Sequence, residues 1–290
     1  MRIIYYFITL NLLFGLILNA QIEFKKNDQG FMLYDSIPRY FYQVAEKSLN
    51  GKYRRADYVH PLFAVNGDTL TEDFPDDHPH HRGIFWSWHR LYIGNNKVAD
   101  PWMCEGISWK NDTVITKIMG DKAKLESHTD WIIINDTSKY NNLVVLKEEV
   151  IITYLKKNND YYELDFKITF NSQVDSLFIG GSEDEKGYGG FSVRLKTPAD
   201  LKFTSENGNV IPRKTPIKTG NWIDVSGISN HGIMIVANPA ELPDFQGWIL
   251  RSRNSMQNAA FPGNHLLMIP KNKPLTIHNK LVIYIKPVPE

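Results

Sequence analysis

Tyr161-Tyr162-Glu163-Leu164-Asp165-Phe166-Lys167-Ile168-Thr169-Phe170 decides the fold class. Tyr162, Leu164, Phe166, Ile168 and Phe170 alternate with Glu163, Asp165, Lys167 and Thr169. A period of two sends the apolar set to one face of a sheet and the polar set to the other. Upstream, Leu143 to Leu155 reads as a partner strand. Lys156-Lys157-Asn158-Asn159-Asp160 joins the two as a hairpin loop.

Working outward, strands are expected at Arg39–Ala45, Tyr58–Val65, Val114–Met119, Leu125–Ile134, Phe191–Lys196, Gly232–Ala237 and Leu275–Lys286. Turn signals separate them, among them Asn66-Gly67-Asp68, Glu206-Asn207-Gly208-Asn209 and Lys271-Asn272-Lys273-Pro274. No stretch reads as an amphipathic helix. Many strands with turn punctuation predict an all-β fold, a large antiparallel β-sandwich. No repeat or low-complexity linker divides the chain, so one domain is expected over 21–290.

The chain has 290 residues, 33 Lys plus Arg, 32 Asp plus Glu, and one cysteine. Arg2 opens an apolar run, Ile3 to Leu18, that ends at Leu18-Asn19-Ala20 before Gln21. That pattern predicts a signal peptide over 1–20 and export to the periplasm or the extracellular space. Nothing later is long and apolar enough for a membrane helix. Without Arg2 the charges balance, which gives no bulk reason to bind nucleic acid or an anionic membrane. Cys104 has no partner for an internal disulfide and reads as a small hydrophobe beside Trp102 and Met103. Asn111-Asp112-Thr113 and Asn135-Asp136-Thr137 are glycosylation sequons, relevant only in a eukaryotic secretory pathway.

One stretch is chemically unlike the rest: Thr71-Glu72-Asp73-Phe74-Pro75-Asp76-Asp77-His78-Pro79-His80-His81-Arg82-Gly83. Two prolines stiffen a loop of acids, histidines and one arginine. Histidine exchanges protons near neutral pH, a carboxylate can fix its tautomer, and arginine can hold an anion by two parallel bonds. The catalytic candidates are therefore His78, His80, His81 and Arg82. Glu183 of the Gly180–Gly190 loop is the candidate partner acid. That Gly-rich loop lacks the spacing and the trailing Lys-Ser/Thr of a phosphate loop. Trp86 and Trp88, on the strand that follows the histidines, are expected to wall a sugar cleft. His60, His89, Trp248, Arg251, Arg253 and His265 complete the binding candidates. A polar loop whose histidines merely cap backbone groups remains open as an alternative.

A metal site at His78, His80 and His81 is the second functional reading. Against it, adjacent His80 and His81 would point to opposite faces if the backbone were extended. No cofactor is therefore expected.

Tyr58-Val59-His60-Pro61-Leu62, Thr71 to Phe74 and Asp77 to Gly83 resemble the opening blocks of the methane oxygenase PmoA-like family. Gly187 to Leu195, Gly220-Asn221-Trp222-Ile223-Asp224 and Leu275 to Tyr284 are similar to its later blocks. The resemblance covers nearly the whole chain after residue 20, and Asp-His-Pro-His-His-Arg-Gly is its most specific part. It implies a galactose-mutarotase-like supersandwich and a family largely of unknown function. Family members tend to carry Trp-His near the end, whereas Trp248 here precedes Ile249.

These readings converge on an exported carbohydrate-active enzyme, a lyase or dehydratase, an epimerase or a hydrolase. It would act by acid–base chemistry on an oligosaccharide or monosaccharide. The alternatives are a non-catalytic carbohydrate-binding protein and, as the family label implies, a metal-dependent oxygenase.

Overall fold

In the computed structural model, Tyr161–Ser172 is a strand whose Tyr162, Leu164, Phe166, Ile168 and Phe170 are all buried. The model describes residues 22–285 apart from 135, 136, 138, 197–200, 229, 239–241, 243, 254 and 255. The expected leader over 1–20, Asn135-Asp136 of the second sequon, and Asn254 and Ser255 lie outside the described residues. Val144–Lys156 pairs with Tyr161–Ser172 through the expected hairpin. The expected strand Val114–Met119 begins earlier, at Ile107. A register shift between Asn111 and Thr113 interrupts the alternation there, which hides the first half from a period-two reading.

Two large antiparallel sheets pack face to face. One runs, in spatial order, Ile107–Met119, Lys122–Ile133, Val144–Lys156, Tyr161–Ser172, Leu275–Ile285, His231–Ala237, Trp222–Ile228, Lys202–Ser205 and Gly208–Asn209. The other runs Ile22–Asn27, Gly30–Asp35, Ile37–Gln43, Tyr58–Leu62, Ile84–Trp88, Gly189–Arg194, Met256–Ala260 and Gly247–Ile249. A four-stranded sheet, ordered Leu266–Ile269, Leu177–Gly180, Arg90–Ile93 and Asn96–Ala99, lies beside them. No helix occurs among the described residues. None is therefore long and apolar enough to cross a membrane.

Aromatic rings join the two layers. Trp88 lies edge-on to Phe170 at 5.1 Å, and Phe166 meets Phe191 at 5.2 Å. Burying each such side chain contributes roughly 1.5–3 kcal/mol, so these contacts fix how the sheets stack. On Ile84–Trp88, Ile84, Trp86 and Trp88 face this core, while Phe85 joins a smaller cluster on the opposite face. That opposite face of the eight-stranded sheet carries the site.

Candidate functional site

The segment 63–83 connects the neighbouring strands Tyr58–Leu62 and Ile84–Trp88 and folds back over their outer face. Gly83 lets it pass close: a Cβ there would lie 2.3 Å from the Val59 carbonyl oxygen. Tight turns shape the segment, with His78 N–H donating to Pro75 O at 3.1 Å and His81 N–H to His78 O at 2.9 Å. Arg194 N–H donates to Gly83 O at 2.7 Å, and Glu72 N–H to Arg194 O at 3.1 Å. The loop is thereby sewn to the strand Gly189–Arg194.

These turns bring the three histidines together. The His78 and His81 rings stack at 4.8 Å with 3° between planes, and His80 stands edge-on to His81 at 4.4 Å. The expectation that His80 and His81 diverge assumed extended backbone. The chain turns at Pro79-His80, so both rings lie on one side. Among the described residues, no group of three or more His, Cys, Asp or Glu is arranged to hold a metal.

Arg194 organises the cluster. Its Nη1 and Nη2 donate to the two oxygens of Asp77 at 3.2 and 2.6 Å, and its Nε donates to Glu72 at 3.0 Å. Asp77 also lies 2.7 Å from His78 Nδ1. Burial pulls the Asp77 carboxyl upward, but hydrogen bonds from His78 and Arg194 outweigh it, so its pKa falls below the usual range. An ionised Asp77 accepts from His78 Nδ1–H, which leaves the lone pair on Nε2. Arg194 Nη1 also approaches His81 Nδ1 at 3.5 Å. An arginine only donates, so the proton of neutral His81 sits on Nε2. One arginine thus sets complementary tautomers on two stacked rings: an acceptor at His78 Nε2 and a donor at His81 Nε2.

Burial holds His80 and His81 neutral. Desolvation pushes the His80 pKa down to about 4, helped by His78, His89 and Arg55. His81 is driven further down by desolvation and by the neighbouring His80, His78 and Arg194. His80 is 8% exposed, and its ring makes no hydrogen bond among the described residues. Its nitrogens nevertheless are not among the sealed, unpartnered atoms of the core. They reach the surface of the site.

Aromatic contacts extend the site sideways. Trp102 meets His81 edge-on at 5.9 Å, stacks on His89 at 5.2 Å and touches Tyr188 at 5.6 Å. His89 is held by Asp100 at 3.2 Å. Arg251 stands over the half-buried Tyr188 ring at 5.5 Å. His60 lies on the same outer face and contacts Thr71 Oγ1 at 3.0 Å. Burial lowers its pKa to about 4, partly opposed by Asp73.

Several expected residues serve the fold instead. Trp86 and Trp88 do not wall a cleft: both are buried in the core, with indole N–H groups donating to Glu148 and to Phe261 O. Their parity with Ile84 sends them inward. Trp248 is likewise buried, donating to Gly220 O at 2.9 Å. Arg82 is sealed from solvent. It donates to Asp73 at 2.9 Å and to the carbonyls of Lys47 and Tyr53, and it packs on Phe74. It holds the loop down and has no free edge for a substrate anion. Glu183 is 72% exposed, 4.0 Å from Arg90, and touches none of the histidines. His265 is exposed and pairs with Asp244 at 3.7 Å, and Arg253 is exposed. Arg194, Trp102 and Tyr188 were missing from the expected set, and Trp102 is nearly as buried as Trp86; Asp77 and Glu72 lie in the expected loop but carried no individual role. A cavity of about 750 Å³ lined by Leu267, Met268, Pro270 and Leu275 lies elsewhere and shares no residue with the histidines.

A two-layer antiparallel sandwich with a histidine cluster ordered by one arginine on an outer sheet face defines the class of this protein. The chain belongs to the family of unknown function DUF6807, whose pattern matches residues 31–288. That match leaves the methane oxygenase PmoA-like likeness as a resemblance. No curated protein matches the sequence. Among solved structures it is similar to a heparan sulfate lyase HepC mutant from Pedobacter heparinus. The identity is 10% and the TM-score 0.42, over 94% of this chain and 37% of that one. It is also similar to a TPR-domain containing protein from Parabacteroides distasonis, at 10% identity and TM-score 0.45, over 90% of this chain and 48% of that one. A third is a GalM/aldose epimerase homologue from C. elegans, at 10% identity and TM-score 0.35, over 93% of this chain and all of that one. The chain spans between a third and a half of the length of the first two.

Proposed function

We propose that this protein is an exported enzyme that moves protons on a carbohydrate, with His78 as general base and His81 as hydrogen-bond donor. The observation that carries the reading is the path Glu72–Arg194–Asp77–His78, with His81 stacked on the last ring. A base oriented by a carboxylate, beside a neutral donor of fixed tautomer, suits proton removal with stabilisation of the oxygen that gains charge. His78 Nε2 takes a proton from the substrate, and His81 Nε2–H faces the developing oxyanion. A lyase, a dehydratase and an epimerase share that first step. His80, neutral and without a hydrogen bond, offers a second proton acceptor or donor. Hydroxyl-rich substrates match a site whose accessible groups are imidazoles, with Tyr188 as the half-buried aromatic flank.

The experiment is a screen of the purified protein against neutral, uronic and sulfated oligosaccharides, read by mass, ultraviolet absorbance and NMR. A new double bond or an inverted carbon that disappears in His78→Ala and Asp77→Asn supports the reading. Turnover that survives in both variants overturns it. Export rests on the leader Arg2 to Ala20. A mature N-terminus at Gln21 is expected by mass spectrometry, and soluble protein retaining Met1 would contradict it.

A further inference from the structure

A basic stretch of backbone borders the aromatic end of the site. Arg251 Nη1 donates to the carbonyls of Arg213 at 2.6 Å and Leu250 at 2.9 Å, and its Nη2 donates to Lys214 O at 3.1 Å. These bonds fix the guanidinium beside Tyr188 and draw the exposed Arg213 and Lys214 alongside it. Arg253, two residues on, is also exposed. Among the described residues none of these four cations has a carboxylate within ion-pair distance, whereas Arg82, Arg194, Lys47 and Lys97 all do. Arg251 thus stands beside Tyr188 with the exposed Arg213, Lys214 and Arg253 in the adjoining backbone, while Asp184 acts on the same tyrosine. Three of the five N–H groups of Arg251 meet carbonyls and its side chain also hydrogen-bonds Tyr188, so the cation needs no further ordering.

We infer that Arg213, Lys214, Arg251 and Arg253 form the anion subsite of this cleft, and that its ligand is an acidic oligosaccharide bearing carboxylate or sulfate groups. The inference rests on the acid–base reading of the histidines and names its substrate class. The contacts run continuously from Arg251 through Tyr188 and Trp102 to His81 and His78. Trp102 is itself buried, so a saccharide whose charged substituent meets Arg251 would reach the base over Tyr188, His89 and His78. A carboxylate substituent would also acidify the adjoining C–H, the proton that a histidine base is able to remove.

Binding is measured by calorimetry on His78→Ala, so that no turnover intrudes. Three probes are compared: a galacturonate tetrasaccharide, the same tetrasaccharide as its methyl ester, and a sulfated tetrasaccharide without carboxylates. At least one charged probe is expected to bind about tenfold or more tightly than the ester, with affinity falling as salt rises. Which one binds separates a carboxylate ligand from a sulfate ligand. Arg251→Ala and, where that variant folds poorly, Arg253→Gln with Lys214→Gln are expected to cut the preference several-fold. Binding of both charged probes no tighter than that of the ester, or a preference that survives all these substitutions, overturns the inference. The two readings fail separately. Preferred acid binding without turnover by the unsubstituted enzyme would remove the catalytic reading alone. Turnover of the neutral ester without preference would remove this one alone.

Discussion

Behind the strand Ile84–Trp88, Asp57 and Glu148 lie between the sheets; in front of it, His80 and His81 lie beneath the 71–83 loop. Both pairs are buried, and burial pushes both toward the neutral form, the carboxyls upward and the imidazoles downward. They differ in what surrounds them. Glu148 accepts from the indoles of Trp86 and Trp131, and Asp57 accepts from Tyr42 and from Ser127. Asp57 Oδ2 is sealed without a donor among the described residues, and burial beside a second carboxyl holds the pair toward the protonated form. Every valence there is turned inward. On the outer face, Arg194 fixes one side of His81, Asp77 fixes one side of His78, and the remaining nitrogens have no protein partner. A sealed polar cluster stabilises a core, whereas one left half-satisfied on its solvent side is available for chemistry.

The comparison can be broken most severely at Glu148. Glu148→Leu strands two indole N–H groups in the core and is expected to cost about 3–5 kcal/mol of stability in urea denaturation. Glu148→Gln keeps one acceptor and should cost less. Next comes the outer face, where Asp77→Asn is expected to lower turnover by about 10²-fold or more with a small change in melting temperature. A loss of stability as large as that of Glu148→Leu would erase the distinction between the two faces.

Acid pH sharpens the comparison through signs. His80 has a folded pKa near 4 against 6.5 for the free side chain. Its contribution to stability is complete above about pH 6.5 and is lost as pH falls toward 4, at on the order of 1 kcal/mol per pH unit. The carboxyl pair acts oppositely: with folded pKa values raised, its contribution is complete below the ordinary carboxylate range and is lost as pH rises. Denaturation midpoints measured against pH should lose part of their acid-side slope in His80→Gln, the rest coming from His60 and His81, and should lose opposing slope in Glu148→Gln. The smallest effect is expected at Glu183, exposed and remote from the histidines. Glu183→Gln should change stability by about 0.5 kcal/mol or less, and turnover should be retained; loss of turnover would place a catalytic acid outside the stacked rings.

The sandwich was legible because Tyr161–Phe170 alternates without interruption, and the histidine loop because its composition stands apart. The parity of Trp86 and Trp88 with Ile84 places both rings in the core, and the affinity of sugars for indole says nothing about which face of a strand a ring occupies. Arg194 carried a signal of the same kind. Phe191, Val193 and Leu195 alternate inward, so a charged residue at 194 had to lie on the opposite face. That it meets Asp77 depends on Thr71 bridging Leu195, a contact across more than a hundred residues that no local pattern announces. Arg82 misled for the converse reason. Its neighbours in sequence are polar, but its partners in space are Asp73 and two backbone carbonyls.

The order of strands in the eight-stranded sheet bears on when the protein becomes competent. Ile84–Trp88 pairs with Gly189–Arg194, about 100 residues away, and that strand pairs in turn with Met256–Ala260. Between them, Ile107 to Ser172 forms hairpins whose partners adjoin in sequence. Closing short loops is fast and closing long ones is slow. The meander has every kinetic reason to form early, while His78 and His81 wait for Arg194 to arrive from a distant part of the chain. The tautomer order that Arg194 imposes on the two stacked rings therefore depends on the docking of Gly189–Arg194.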